Sequence, residues 1–276
     1  MKDSNIKKLV KEGYAKIATT NSTCCTKPSC CSGANLAEAI SKNVGYKDNE
    51  LKSVPEGANL GLGCGNPIAL ASLKEGETVL DLGSGAGFDC FLAANRVGDK
   101  GKVIGIDMTP EMVEKAKINA QKGNYRNIEF KLGEIENLPI LDNSIDIIIS
   151  NCVINLSPDK QKVFQEAFRV LKQNGRLMIS DLVLRKELPD VIKKSVEAYI
   201  GCLSGAVLKE EYLKYIQEAG FSQIKVIDET SFPIEDMTHD VTAKAIKDNP
   251  NIKPDKIKEI ANSVISIKVS AIKQRE

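Results

Sequence analysis

The first quarter of the chain combines helical periodicity with segments that have no regular hydrophobic pattern. A spacing of three or four predicts an amphipathic first helix, whose inner face comprises Ile6, Leu9, Val10, Gly13, Tyr14 and Ile17. The polar stretch 19–33 predicts a loop, and a short helix is expected near 36–44. The run 54–67 is too rich in glycine and proline for a regular element, although Pro67 could open a short helix through Leu73.

From residue 76 onward, apolar runs alternate with helical segments. The apolar runs predict buried parallel strands at 78–83, 102–107, 127–133, 144–150 and 176–182. Helices are predicted at about 87–97, from Thr109-Pro110 to Gln121 and from Ser157-Pro158 to Leu171. Asn174-Gly175 predicts a turn before the fifth strand. This order predicts an α/β fold with a doubly wound, mostly parallel sheet and helices on both faces.

The regularity weakens after Asp181. Helices are predicted near 188–201 and 208–219, and the segments 221–228 and 263–273 predict two further strands, giving seven in all. The polar stretch 229–262 predicts no clear element.

The composition excludes several classes of function. The chain has 276 residues, of which 42% are hydrophobic and 27% charged, as in an ordinary globular protein. Lys and Arg number 38 and Asp and Glu 37, so no bulk charge favours nucleic acid or an anionic membrane. Neither a signal peptide nor an apolar run of membrane-spanning length is found, so we expect a cytoplasmic protein. In that reducing compartment, the eight cysteines suggest soft-metal binding or thiol chemistry rather than a disulfide scaffold.

A glycine-rich segment follows the first strand of the predicted sheet. Gly83, Gly85 and Gly87 allow a tight turn and a close approach of a ligand to the backbone. Asp107 ends the next strand, where a carboxylate can accept hydrogen bonds from a ribose. The third glycine comes too early for the dinucleotide pattern G-x-G-x-x-G, and Asp81 would repel a pyrophosphate. Both features favour S-adenosylmethionine (SAM), whose methionine end is cationic, over NAD.

These motifs resemble motifs I and II of the class I SAM-dependent methyltransferases, which have a Rossmann-like fold. The segment 129–140 also resembles the part that contacts adenine in that family, and the resemblance covers about 75–185. The alternative is a glycine turn that serves packing alone. The residues expected to bind the cofactor are Asp81, Gly83, Ser84, Gly85, Gly87, Asp107, Met108, Gly133, Glu134, Ile135 and Asn151.

Three cysteines lie in glycine-flanked or strand-end segments outside the cofactor loop. Cys152 ends the fourth strand, which adjoins the first strand in a doubly wound sheet, so Cys152 should lie beside the cofactor. Cys64 lies in GLGCGNP and Cys202 in GCLSGA. Each could simply be a small buried apolar residue, and for Cys90, inside a predicted helix, this interpretation is preferred.

The segments GLGCGNP, SNCVINL and GCLSGA together resemble the arsenite methyltransferases, as does the opening VKEGYAKIA. The resemblance implies that Cys64, Cys152 and Cys202 bind As(III) and carry the catalysis. As(III) is soft and prefers thiolate sulfur, and its lone pair can attack a methyl group without a general base. His239, the only histidine, is therefore interpreted as a surface residue.

Four further cysteines, Cys24, Cys25, Cys30 and Cys31, lie within eight residues of one another. They could bind zinc, although their spacing is not that of two C-x-x-C motifs. The family resemblance implies instead that one of them, with Cys30 or Cys31 preferred, can pair with Cys64. A disulfide formed in turnover requires a thiol reductant of the thioredoxin or glutathione type as a partner. The alternative is a solvated loop whose thiols only scavenge metals.

The predicted organisation is a cysteine-rich N-terminal extension (1–74), a SAM-binding core (75–183) and a smaller C-terminal α+β part (184–276). The C-terminal part would complete the sheet and supply the third thiolate. Two other functions remain open. The segment 169–183 also resembles quinone and sterol C-methyltransferases, and a thiol-rich metalloid-binding protein would bind arsenic without turnover.

Overall fold

The structure is a computed structural model that describes residues 3–20, 33–67, 72–193, 199, 202–231, 259–260 and 262–274. Several predictions fall outside these residues. They concern the four N-terminal cysteines, His239, most of the short helix after Pro67, most of the helix near 188–201 and most of the polar stretch 229–262.

Among the described residues, three helices precede the sheet. The amphipathic first helix is α1 (Asp3–Thr20), and the predicted second helix is α2 (Gly33–Asn43). A short helix that was not predicted, α3 (Asp48–Lys52), follows, because five residues are too few to show a helical period. Its first turn is closed by Glu50, whose carboxylate accepts a hydrogen bond of 3.0 Å from the Lys47 N–H.

The sheet has seven strands in the order β3-β2-β1-β4-β5-β7-β6. The strands are β1 (Thr78–Leu82), β2 (Lys102–Asp107), β3 (Ile128–Leu132), β4 (Ile145–Asn151), β5 (Leu171–Leu184), β6 (Ser222–Ser231) and β7 (Val264–Ile272). The first five are parallel, and β7 runs antiparallel to both β5 and β6. The predicted α/β fold and the neighbouring positions of the first and fourth strands are confirmed.

The other helices of the described residues are α4 (Phe88–Val97), α5 (Pro110–Lys122), α6 (Lys160–Val170), α7 (Asp190–Lys193) and α8 (Lys209–Glu218), with a 3-10 turn at Ile154–Leu156. The helix predicted from Ser157-Pro158 begins at Lys160 instead, so Ser157 is not its N-terminal cap. Asp159 is the cap, since its carboxylate accepts a hydrogen bond of 2.9 Å from the Lys162 N–H. The Ser157 hydroxyl instead donates to Glu136 at 2.6 Å.

Strand β5 is longer than predicted because the turn residues at its start still pair with neighbouring chain segments. Asn174 has a positive φ of 61°, as expected in a turn, yet its N–H donates to the Lys273 carbonyl at 2.8 Å. Leu171 pairs with Ile145 across a register shift in β4. The strand therefore starts five residues before the expected position.

Both faces of the sheet are buried, as expected for parallel strands covered by helices. Along β4, Ile148 belongs to one apolar cluster, whereas Ile147 and Ile149 belong to the cluster on the opposite face. A third cluster, at the carboxyl ends of the strands, contains Cys64, Cys152 and Cys202. Within the described parts of the chain, every helix is too short or too polar to cross a bilayer.

Candidate active site

The glycine loop after β1 adopts the tight turn that the sequence predicts. Gly83 has a φ of +70°, and a Cβ atom at this position would come within 2.3 Å of the Val153 side chain. The backbone N–H groups of Gly83 and Ser84 both donate to the Ile106 carbonyl, at 2.8 and 2.9 Å. Strand β2 thereby holds the loop, which runs directly into α4.

Asp107 lies at the end of β2 beside this loop. Its two carboxylate oxygens accept hydrogen bonds from the N–H groups of Gly85 at 2.9 Å and of Thr109 at 2.8 Å. The side chain is buried, and burial raises the pKa of its carboxyl group despite these bonds. Each oxygen retains a lone pair with which a hydroxyl group of a ligand could pair.

Two further carboxylates, Asp81 and Asp89, are buried next to each other. Burial raises the pKa of Asp81 well above its usual range, and the charge of Asp89 adds to this effect. Burial also raises the pKa of Asp89, to about 6. Asp89 accepts hydrogen bonds from the Tyr46 hydroxyl at 2.6 Å and the Asn151 amide at 3.1 Å, and Asp81 accepts one from the Cys90 thiol at 3.2 Å. Cys90 is therefore buried, as predicted, but it also makes a polar contact.

One cavity runs along the carboxyl ends of β1, β2 and β4. Of the residues predicted to bind the cofactor, those that line it are Asp81, Gly83, Ser84, Gly85, Asp107, Met108, Gly133, Ile135 and Asn151. Gly87 lies behind the loop, where a Cβ atom would meet Phe91 and Phe130 at 2.8 Å. The Glu134 side chain is about half exposed and forms an ion pair with Lys7 at 2.7 Å, so it does not line the cavity.

Helix α1 covers this cavity. Lys7, Val10 and Tyr14 contribute to its wall, and Lys7 also forms an ion pair of 3.1 Å with Glu136. The sequence shows that this helix is amphipathic, but it does not show which surface the apolar face covers.

The cavity has the chemistry of a site for a cationic ligand. None of its three buried carboxylates, Asp81, Asp89 and Asp107, is paired with a Lys or Arg among the described residues. The buried Ser84 hydroxyl also lacks a hydrogen-bond partner there. Uncompensated buried charge is unfavourable, and a bound cation would relieve it. The residues thus fit a ligand with a positive end and a ribose, as SAM has.

Cys64, Cys152 and Cys202 belong to one buried cluster at one end of the cavity. The sulfur atoms of Cys64 and Cys152 lie within 4.8 Å of each other, and the Cys202 sulfur lies 2.7 Å from the Cys152 carbonyl oxygen. The Cys202 sulfur does not belong to the group of ligand atoms that Cys64 and Cys152 form. All three side chains are buried, but only Cys152 also lines the cavity. The pKa of Cys64 is raised by burial, and that of Cys202 by its hydrogen bond with Cys152 and by burial. The free thiols are therefore protonated at neutral pH.

Close packing brings these thiols together. A Cβ atom at Gly65 would lie 1.7 Å from the Ser180 hydroxyl, and one at Gly205 would lie 1.9 Å from the Asn155 carbonyl. Glycine next to Cys64 and near Cys202 therefore allows both loops to approach the strand ends. Cys152 and Cys202 both have left-handed backbones, with φ of 60° and 63°, which is uncommon for residues other than glycine.

Asp181 is a buried acid beside this cluster that was not predicted as a site residue. A carboxylate oxygen of Asp181 and the sulfur atoms of Cys64 and Cys152 all lie within 4.8 Å of one another. The carboxylate accepts hydrogen bonds from Asn155 at 2.9 Å and Tyr212 at 3.0 Å, and burial raises its pKa to about 7.

Sequence reasoning also missed Tyr46 and Asp89. Asp89 follows the glycine loop by two residues, and that position was the one available signal. Tyr46 gives no signal, because it reaches the cavity only through the packing of the segment between α2 and α3.

A family model described as a methyltransferase domain matches residues 73–220, more than half of the chain. This chain belongs to that family. The arsenite methyltransferase of Halobacterium salinarum is 46% identical to this methyltransferase over 244 residues, covering 85% of the chain and 62% of that relative. The human arsenite methyltransferase is 41% identical over 174 residues, covering 60% and 46%.

A solved structure shows the same similarity. The crystal structure of an arsenic(III) S-adenosylmethionine methyltransferase from Chlamydomonas reinhardtii superimposes on this methyltransferase with a TM-score of 0.63 at 29% identity. The match covers 89% of the chain and 75% of that structure. The chain spans 62% or less of the length of the curated relatives described above.

Proposed function

We propose that this methyltransferase transfers methyl groups from SAM to trivalent arsenic bound by Cys64, Cys152 and Cys202. The main support is the position of Cys152, whose side chain lines the cofactor cavity. Its sulfur lies within 4.8 Å of the Cys64 sulfur, and its carbonyl oxygen lies 2.7 Å from the Cys202 sulfur. The two relatives and the solved structure, which are named for this activity on arsenic, support the same substrate.

The proposed cofactor site uses the residues that line the cavity. Asp107 would accept hydrogen bonds from the ribose, and Asp81 and Asp89 would face the cationic methionine end. Gly133 and Ile135 would lie near the adenine. When bound, SAM supplies an electrophilic methyl group for the arsenic lone pair. The chain contributes mainly by holding the two reactants in fixed orientation, which can be worth about 7–11 kcal/mol of the activation barrier.

Arsenic binding would proceed by ligand exchange at the three thiols. Each thiol forms an As–S bond and gives its proton to a departing hydroxide, so arsenite with three thiols yields the tris-thiolate and three water molecules. The raised pKa values of Cys64 and Cys202 disfavour free thiolates at neutral pH, so deprotonation must accompany arsenic binding. The lone pair of the bound arsenic carries no proton, and methyl transfer needs no general base.

We further propose that the reaction takes place in the cytoplasm with a thiol reductant. Oxidised cysteines would stop arsenic binding, and a thioredoxin- or glutathione-type reductant would restore them. Cys30 or Cys31 would serve as the redox partner of Cys64.

The experiment is an incubation of the purified protein with arsenite, SAM and a thiol, followed by separation of methylated arsenic species. We expect methylated arsenic from the wild type and a loss of at least about 100-fold in Cys64→Ser, Cys152→Ser and Cys202→Ser, because each removes one soft ligand. Cys90→Ser is the matched control. Its hydroxyl can still donate to Asp81, and the three proposed arsenic ligands are unchanged, so methylated arsenic should still form.

Two results would contradict the proposal. SAM binding without any arsenic product would reject the arsenic substrate. Full activity of Cys64→Ser on a carbon acceptor such as a quinone would favour a C-methyltransferase.

A further inference from the structure

The Asn151 side chain joins the cofactor cavity to the cysteine cluster. Its amide oxygen accepts a hydrogen bond of 3.0 Å from the Cys64 N–H, and its amide nitrogen donates to the Gly65 carbonyl at 2.8 Å. The same nitrogen lies 3.1 Å from the Asp89 carboxylate and 2.9 Å from the Tyr46 hydroxyl. One side chain therefore contacts both the backbone that carries Cys64 and a carboxylate of the cofactor cavity.

The backbone partners determine the orientation of this amide. The Cys64 N–H can only donate and the Gly65 carbonyl can only accept, so the oxygen must face Cys64 and the nitrogen must face Gly65. A flipped amide would lose both bonds. The Asp89 carboxylate reinforces this orientation, because it accepts from the nitrogen and would repel the oxygen.

The loop that carries Cys64 has few alternative positions. A Cβ atom at Gly63 would lie 2.5 Å from the Asn151 nitrogen, so the loop packs directly on this amide. The Cys64 carbonyl accepts a hydrogen bond of 2.9 Å from the Ser266 hydroxyl on β7. Asn151 thus holds the side of the loop that faces the cavity, and Ser266 holds the other side.

We propose that Asn151 is a positioning residue that couples cofactor binding to arsenic binding. This inference rests on the proposed function. A cation bound in the cavity attracts the Asp89 carboxylate and fixes its position. Asp89 then fixes the Asn151 amide, and the amide fixes the backbone of Cys64 at the arsenic site. The cofactor therefore strengthens arsenic binding, and by thermodynamic linkage arsenic strengthens cofactor binding by the same factor.

The experiment measures this linkage without turnover. S-adenosylhomocysteine, which keeps the ammonium group but has no methyl group to transfer, replaces SAM. The affinity for arsenite is determined by calorimetry in a phosphine reductant, with and without saturating S-adenosylhomocysteine. We expect the wild type to bind arsenite at least about fivefold more tightly with S-adenosylhomocysteine, within the usual range of coupling between sites.

Two variants test the two contacts of Asn151. Asn151→Ala should reduce the coupling to less than about twofold. Asp89→Asn, which is nearly isosteric but removes the charge that the bound cation attracts, should also lower the coupling. Asn127→Ala is the matched control, because Asn127 also donates to two backbone carbonyls but precedes the amino end of β3 and does not line the cavity. It should keep the coupling of the wild type.

The outcomes separate this inference from the proposed function. An uncoupled wild type, or full coupling in both Asn151→Ala and Asp89→Asn, would overturn the role of Asn151 while leaving arsenic methylation intact. Arsenite binding that is absent in the wild type, or unchanged in Cys64→Ser, would instead reject the arsenic site.

Discussion

Asp81, Asp89 and Asp107 share an unusual property at the scale of single residues. Each is a buried carboxylate in the cofactor cavity, and burial raises the pKa of each. A protein that used them only for stability would pair them with Lys or Arg, since an unpaired buried charge is costly. Their arrangement therefore favours binding of a cation over stability of the free protein.

The first prediction concerns pH. Burial raises the pKa of Asp89 to about 6, and Asp81, Glu50 and the Tyr46 hydroxyl are titratable groups that interact with it. Below pH 6, a proton on Asp89 competes with the cationic cofactor, so the affinity for SAM should fall by up to about tenfold per pH unit. Asp81, whose pKa is also raised, acts in the same direction. Titration calorimetry between pH 5 and 8 checks this, and Asp89→Asn should bind SAM more weakly with a shallower pH dependence.

The second prediction compares two glycines of the loop. Gly83→Ala should lower the free energy of unfolding by about 2–5 kcal/mol, because the positive φ strains alanine and the new Cβ meets Val153. Gly85→Ala, with a φ of +50° and open space around the Cβ position, should cost only about 1–2 kcal/mol. Because Gly85 lines the cavity, its variant should nevertheless bind SAM more weakly. Urea denaturation and SAM titration distinguish the two, and equal stability of both variants would contradict the argument.

At the scale of elements, the antiparallel strand β7 joins the parallel strands of the sheet to the edge strand β6. It lies between β5 and β6, and its residues Ile265, Ile267 and Val269 are fully buried. Strand β7 also supplies Ser266, whose hydroxyl holds the Cys64 carbonyl. Strand β7 therefore contributes both to the buried core and to the position of Cys64.

The third prediction uses a matched pair of isoleucines on neighbouring strands. Ile267→Ala should lower the free energy of unfolding by about 2–5 kcal/mol, since it leaves a cavity in the core. Ile227→Ala on β6 is the control, because its side chain is 46% exposed and the change should stay within about 0.5 kcal/mol. Denaturant unfolding measures both. Similar losses of unfolding free energy in the two variants would show that the burial of β7 contributes little to stability.

At the scale of the whole molecule, the two proposed sites meet at Cys152. The cofactor cavity is built from the ends of β1, β2 and β4 and is covered by α1, whereas the thiols come from three distant segments. Occupation of either site should therefore stabilise the same folded assembly.

The fourth prediction concerns the stabilisation of the folded protein by its two ligands. At 100 times its dissociation constant, S-adenosylhomocysteine should raise the free energy of unfolding by about 2.7 kcal/mol. Arsenite should add a comparable increment in the wild type and in Cys90→Ser, but none in a variant with serine at positions 64, 152 and 202. Thermal unfolding monitored by circular dichroism checks the increments. An arsenite effect that persists in the triple variant would place arsenic elsewhere.

The sequence by itself determined the order of the elements, because hydrophobic periodicity and turn residues are local properties of the chain. It placed β1 to β4, the long helices and the glycine loop to within a few residues. It also indicated three of the cavity's features, namely the loop, Asp81 and Asp107, since their spacing to the strands is local as well.

Only the tertiary structure decided which distant groups meet. Tyr46 and Asp181 gave no motif of their own, and Asp89 gave only its position after the glycine loop. They became site residues through the packing of the segment between α2 and α3, of α4 and of β5 around the strand ends. The same packing turned Glu134 toward solvent and Asn151 toward both sites. The physical reason is that burial, which raises the pKa values and orients the amide, is a property of the assembled fold and not of any one segment.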